Sequence, residues 1–109
     1  MRLPTNAEWD ALVTAAGGEN TAGKKLKSKS GWYNNGNGTD DFQFSALPGG
    51  LRNPSLGSFI TVVYYGYWWT ATEVSNDYAY NRYMYYEYDS VYEDPIDKST
   101  AFSVRCIQD

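Results

Sequence analysis

Ten of the chain's eleven tyrosines fall between Tyr64 and Tyr92, and that density constrains the fold more than any other feature. A buried phenol needs a partner for its hydroxyl, and an unpaired one costs about 1–3 kcal/mol. A chain of 109 residues has the usual size of one domain, residues 1–109, with no linker dividing it. The aromatic and aliphatic residues Trp9, Leu12, Val13, Phe42, Phe44, Phe59, Phe102 and Val104 already supply one core. Further bulky rings would overpack it. The surplus tyrosines are therefore expected outside, on one connected face away from Trp9 and Leu12. Strands favour tyrosine for packing reasons alone, but binding loops also favour it, because it offers amphipathic area at low entropy cost. The ligand-binding candidates are Tyr64, Tyr65, Tyr67, Tyr78, Asn81, Tyr83, Tyr85, Tyr88 and Tyr92. Tyr80 and Met84 read as framework.

The order of elements is α+β. Thr5-Asn6-Ala7-Glu8 is a capping box, and Trp9, Leu12, Val13 and Ala16 follow at helical spacing until Gly17-Gly18. This predicts a helix from about Asn6 to Ala16 and a short second one from Thr21 to Lys27. Residues 28–57 are dominated by turn formers, with Trp32, Phe42, Phe44 and Leu47 as expected internal anchors. Strands are expected over 59–72, 78–88 and 101–107, where β-branched and aromatic residues concentrate. Phe102, Val104 and Cys106 would share the buried side of the last one, beside a core strand over 68–73. Trp68 and Trp69 must point to opposite faces, so at least one belongs to the core.

Charge narrows the partners. The net charge is −4, which argues against nucleic acid, since phosphate binding needs a basic face. Lys24, Lys25, Lys27 and Lys29 read as a short solvated patch. Between Glu73 and Asp97 stand seven acids, Glu73, Asp77, Glu87, Asp89, Glu93, Asp94 and Asp97, against one base, Arg82. They serve solubility or complement a basic partner. No apolar run is long enough to enter a membrane as a span, and no signal peptide is present. The chain has no histidine, hence no imidazole base and no triad. Its single cysteine, Cys106, excludes an internal disulfide and reads as a small buried hydrophobe. Catalytic residues are therefore expected to be none, and no cofactor is expected. Asn35, Asn37, Asp40 and Asp41 form a weak candidate calcium loop. Calcium wants six to eight oxygens, but Asx residues in turns equally bond local backbone.

The block Arg2-Leu3-Pro4-Thr5-Asn6-Ala7-Glu8-Trp9 resembles the "RLPTEAEW" signature of formylglycine-generating-enzyme-like domains. A fuller resemblance is to the Fibrobacter succinogenes major paralogous domain. It runs through residues 22–27, 36–42, 44–50 and 68–73, Ala79-Tyr80 and residues 102–106, in order. Ala101 and Gln43 stand where that family usually has glycine. Both families are similar to the C-type lectin fold, so the resemblance implies a mixed domain with long irregular loops that bind ligands. Members usually carry a segment before the "RLPT" block, which implies a minimal version here or a missing N-terminal part.

The resemblance further implies an exported bacterial or phage protein, extracellular or displayed on a cell surface or phage particle. It also implies a possible variable protein of a diversity-generating retroelement, whose rewritten codons yield Tyr, Asn, Ser and Asp on the surface. Formylglycine-generating enzymes use a pair of cysteines, and only Cys106 is present. The "EPN" and "WND" motifs of calcium lectins are also missing from the sequence. The expectation is a non-catalytic, receptor-binding or adhesin-like module whose ligand is a protein or cell-surface glycan. The alternatives are a structural or assembly module of a surface fibre or cell envelope, and a degenerate formylglycine-generating-enzyme relative.

Overall fold

The structure is a computed structural model and describes residues 2–52, 59–100 and 102. Thr5 opens the first helix, α1 (Asn6–Ala15), with both halves of the capping box formed. Its Oγ1 accepts from the Glu8 amide at 3.2 Å, and the Glu8 carboxylate accepts from the Thr5 amide at 2.9 Å. Arg2 pairs with the same carboxylate and, with those bonds, holds the Glu8 carboxyl down at about 2. The helix stops where the Gly18 amide turns back to the Val13 carbonyl at 2.9 Å. A second short helix, α2 (Ala22–Leu26), follows.

Next comes a 3-10 turn (Tyr33–Asn35), and then the strands β1 (Leu51–Arg52), β2 (Phe59–Ile60), β3 (Tyr65–Glu73), β4 (Tyr78–Tyr85) and β5 (Tyr92–Asp97). Among the described residues β1 pairs with β2, and β3-β4-β5 form one antiparallel sheet in that order. This is an α+β arrangement.

The core lies between α1, α2 and one face of the sheet. Trp9, Val13, Ala16, Ala22, Leu26, Trp32, Ala46, Trp68, Met84 and Val91 are buried together, with Leu12, Phe44 and Tyr86 packed against them. Three indoles fill much of this space. Trp9 meets Phe44 edge-on at 5.6 Å and Trp68 at 6.2 Å. The Trp32 indole donates to the Ala46 carbonyl at 3.0 Å.

Several sequence expectations are corrected here. Phe42 is 49% exposed and Leu47 also lies outside, because Phe44 and Ala46 are the residues of this loop that turn inward and the indoles occupy the space beyond them. Phe102 joins the opposite side of the sheet, stacking on Tyr67 at 5.0 Å. Lys27 is not part of a solvated patch. It is 1% exposed, because the chain leaving α2 is drawn under the sheet by a bridge between Lys27 and Ala46. The strand expected over 78–88 ends at Tyr85, and β5, which was not expected, pairs beside it. Its Pro95 pairs opposite Tyr80, which the end strand of a sheet tolerates because one row of amides goes unused there. The side chain of Phe59, and Val104 and Cys106 with all but Phe102 of the strand expected over 101–107, lie outside the described residues.

Candidate ligand-binding face

The site follows from alternation along β3. Gly66, Trp68 and Thr70 are buried, while Tyr65, Tyr67 and Trp69 between them are half-buried on the other face. In β4, Arg82 and Met84 turn inward, and Tyr83 and Tyr85 turn outward with Asn81. The register sets these residues in rows across the sheet: Tyr65 opposite Tyr85, Tyr67 opposite Tyr83 and then Tyr92, Trp69 opposite Asn81 and then Asp94.

The rings touch throughout. Tyr65 stacks on Tyr67 at 5.4 Å and meets Tyr85 at 4.5 Å. Tyr67 meets Tyr83 at 5.6 Å, and Tyr83 stacks on Tyr92 at 5.0 Å. From Tyr85 the contacts pass to Tyr88 at 5.4 Å and to Tyr86 at 4.6 Å. Tyr86, Tyr64 and Tyr33 then form a mutual trio. At the other end Phe102 bridges Tyr67 and Trp69. The rings from Phe102 to Tyr85 form one continuous aromatic row on the side of the sheet away from Trp9, and Tyr86, itself packed against the core, links that row to Tyr64 and Tyr33.

Most candidates from the sequence therefore come together: Tyr64, Tyr65, Tyr67, Tyr83, Tyr85, Tyr88 and Tyr92. Two do not. Tyr78 is exposed but alternates onto the other face, with no ring contact among the described residues. Asn81 shares the face but is wholly buried. Its amide donates to the Asp94 carbonyl at 2.7 Å and to Asp94 Oδ1 at 2.6 Å, so it ties β5 to β4. Tyr33 and Tyr86 belong to the surface and were not among the candidates. Tyr86 carried a signal, standing inside the Tyr-rich run, whereas Tyr33 is distant in sequence and is brought in only by the 3-10 turn.

Three phenols are shifted. Burial pushes Tyr67 up to about 12. Its hydrogen bond with Tyr86 takes Tyr85 up to about 12. Burial, then the charge of Asp94, raises Tyr83. Each shift favours the neutral phenol, which can both donate and accept a hydrogen bond.

The turn that carries Tyr86 and Tyr88 is gripped from below. The Lys27 ammonium donates to the carbonyls of Tyr85 and Tyr88 at 2.5 and 2.7 Å and sits 5.0 Å from the Trp32 ring. Burial pushes this ammonium down to about 8. Glycines permit the close approach of neighbouring loops. A Cβ on Gly36 would fall 2.3 Å from the Tyr86 carbonyl oxygen, and one on Gly23 2.6 Å from that of Ser90. Amide bonds from Lys24 to Asp89 and from Tyr86 to Tyr64 complete the grip.

Two of the four candidate calcium residues bond local groups. Asn37 Oδ1 accepts from the Trp32 amide at 2.9 Å, and the Asp40 carboxylate holds the Ser45 amide and hydroxyl. Asn35 and Asn37 line a polar groove of about 290 Å³ with Asn34, Tyr86 and Glu87. Among the described residues no cluster of three or more His, Cys, Asp or Glu is placed to hold a metal, and no helix is long and apolar enough to cross a membrane.

The acids are distributed unevenly. Glu73 pairs with Lys98 at 2.8 Å. Arg82, on the inner face, reaches Asp10 at 2.5 Å and Glu93 at 2.8 Å. Asp97 caps Ser99, and those bonds lower its carboxyl. Asp77, Glu87, Asp89 and Asp94 stand exposed.

Compared with known proteins, residues 1–108 match the model of the Fibrobacter succinogenes major domain. No curated protein and no solved structure matches the chain.

Proposed function

We propose that this chain, which belongs to the Fibrobacter succinogenes major domain family, is a non-catalytic binding domain whose ligand lies on the tyrosine face of the sheet. The observation that carries this reading is the continuous row of rings from Phe102 to Tyr85, built on alternate residues of β3 and β4. Tyr64 and Tyr88 are exposed, as expected, while Tyr65, Tyr67, Tyr83, Tyr85 and Tyr92 are half-buried among one another. Contiguous aromatic area at a surface signals interaction, and rigid two-torsion side chains lose little entropy on binding. The clamp by Lys27, Gly23 and Gly36 supports the same reading, because it fixes the backbone that presents the rings. The raised phenols are poor acid–base groups, in keeping with recognition rather than turnover.

In this reading the loops and sheet form a C-type-lectin-like display scaffold. The ligand is a protein or cell-surface glycan met outside the cell, on a cell surface or on a phage particle. The clustering of tyrosines on one face fits the variable protein of a diversity-generating retroelement, acting as a receptor-binding or adhesin-like module.

The test is capture of the full chain on protein and glycan arrays, beside a Tyr67→Ala/Tyr83→Ala variant. Binding by the parent and its loss in a variant that still melts cooperatively is the expected result. Equal capture by both chains would place the binding surface elsewhere and refute the reading. For the retroelement, the nucleotide sequence decides: a template repeat matching the codons of residues 58–95 should lie near a reverse transcriptase.

A further inference from the structure

We infer that a cavity between α1 and β5 holds the amino-terminal residue of a peptide, Arg82 donating to its carbonyl oxygen and a rim of carboxylates taking its ammonium. This is a second site, on the inner side of the sheet, and it does not rest on the reading of the tyrosine face.

Two segments build the cavity. Asp10 and Val13 lie one turn apart on α1, and Glu19 follows in the turn after that helix. Val91 leads into β5, where Glu93 pairs opposite Arg82 of β4. The Val91 amide donates to the Glu19 carbonyl at 3.0 Å and joins the segments at one end. Arg82 joins them at the other, through Asp10 and Glu93. Between these ties lies a cavity of about 300 Å³, at the small end of ligand clefts. Its size suits a single residue.

Floor and rim differ in chemistry. Val13, Val91 and Arg82 are buried, while Asp10, Glu19 and Glu93 stand exposed around them. A guanidinium carries five N–H donors, and this one does not spend them all. Nε and Nη2 serve Asn6, and Nη2 also serves Asp10 and Glu93. Nη1 has no hydrogen-bond partner among the described residues, yet it is not one of the polar atoms sealed from solvent without a partner. It opens into the cavity that Arg82 lines.

Charge selects the occupant. Three carboxylates surround one guanidinium, and that of Glu19 has no partner among the described residues. An anion would meet this excess of like charge. A metal ion would face Arg82, and no group of three acids is placed to hold one among the described residues. The complement is a cation with an oxygen acceptor close to its charge and a short apolar branch. The first residue of a peptide has all three: the ammonium for the rim, the carbonyl for Nη1, and the side chain for Val13 and Val91. A free amino acid would instead set a second carboxylate beside Asp10 and Glu93.

The experiment titrates the full chain with L-valinamide, N-acetyl-L-valinamide, L-valine and glucosamine, followed by chemical shifts. L-valinamide should move the amides of Val13, Glu19 and Val91 and the Arg82 Nε–H resonance, and salt should weaken it. The acetylated amide, which keeps the carbonyl and side chain but lacks the charge, should bind about tenfold more weakly. L-valine and glucosamine, which offers an ammonium and hydroxyls without the aliphatic branch, should both rank below L-valinamide. Glu19→Gln removes a charge that holds nothing in the fold. It should weaken L-valinamide by about threefold and leave the melting temperature in place. Absence of any shift with L-valinamide, or shifts confined to Tyr67 and Tyr83, would overturn the inference. So would equal binding of the acetylated amide, tighter binding of L-valine or glucosamine, or a Glu19→Gln chain that binds like the parent.

Discussion

The two faces of the β3-β4-β5 sheet are built from alternate residues of the same strands, yet they obey different rules. On the inner face Trp68 and Met84 are buried against α1 and α2, and the buried Arg82 is paired with two acids, Asp10 and Glu93, and with Asn6. On the outer face Tyr65, Tyr67, Tyr83 and Tyr85 are half-buried and contact mainly one another. Inner side chains are fixed by shape, because a close-packed interior registers the loss of a single methylene. Outer ones are fixed by the backbone beneath them. Identity can change on such a face without disturbing the fold, and that is the property a recognition surface needs.

The sharpest test of this contrast is the inner face. Trp68→Ala removes an indole packed on Trp9 and Phe44 and should cost about 3–5 kcal/mol in urea denaturation. A loss under about 1 kcal/mol would mean that the core does not depend on this face. Next in size is the clamp. Gly36→Ala drives a Cβ into the Tyr86 carbonyl oxygen, backbone that cannot rotate aside, and should cost about 1–3 kcal/mol. The chemical shifts of Tyr86 and Tyr88 should move more than those of α1. A variant as stable as the parent would show that the turn is not held at this point.

Lys27 sharpens the comparison through pH. The unfolded chain keeps this ammonium charged up to about 10.5, whereas the folded protein sheds the proton near 8. Between those values the unfolded state binds more protons, so this group makes stability rise with pH. From pH 8 to 9 the gain should approach about 1 kcal/mol and vanish in Lys27→Met. Above pH 10 the raised phenols of Tyr67 and Tyr85 act the other way. The folded state then holds protons that the unfolded state has lost, and stability falls. The measurement is thus confined to the range from pH 8 to about 9.5. A flat profile for the parent over that range would mean that Lys27 is better hydrated than its burial implies.

What could be read in advance divides along physical lines. The capping box at Thr5, the helix face of Trp9 and Val13, the split of Trp68 from Trp69 and the clustered tyrosines depend on local spacing, which a sequence displays directly. The rest depends on contacts between distant segments. Lys27 sits in a run of lysines, and only the path of the chain after α2 shows that its stem fills space and its ammonium meets the Tyr85 and Tyr88 carbonyls. Strand β5 carries Glu93, Asp94 and Pro95, residues that strands avoid, and its place at the end of the sheet is what tolerates them. Asn81 looks like its exposed neighbours, but the bond to Asp94 buries it. Phe42 and Leu47 were misassigned because hydrophobicity does not say which loop residue reaches the core first.

The smallest expected effect is the most telling about the outer face. Tyr88 is 53% exposed, and its ring meets one other, Tyr85, at 5.4 Å among the described residues. Its backbone is a different matter, because the Tyr88 carbonyl accepts from Lys27 at 2.7 Å. Tyr88→Ala removes the ring and keeps the carbonyl. If position is set by the clamp and the ring serves only recognition, stability should change by no more than about 0.5 kcal/mol, the usual range for a surface substitution. The amide resonance of Lys27 should stay in place. The same variant should lose measurable capture on the arrays, since binding energy concentrates in exposed aromatic anchors. A stability cost matching that of Gly36→Ala would mean that the ring itself holds the turn. The outer face would then be a second layer of structure, and the distinction between the two sides of the sheet would be lost.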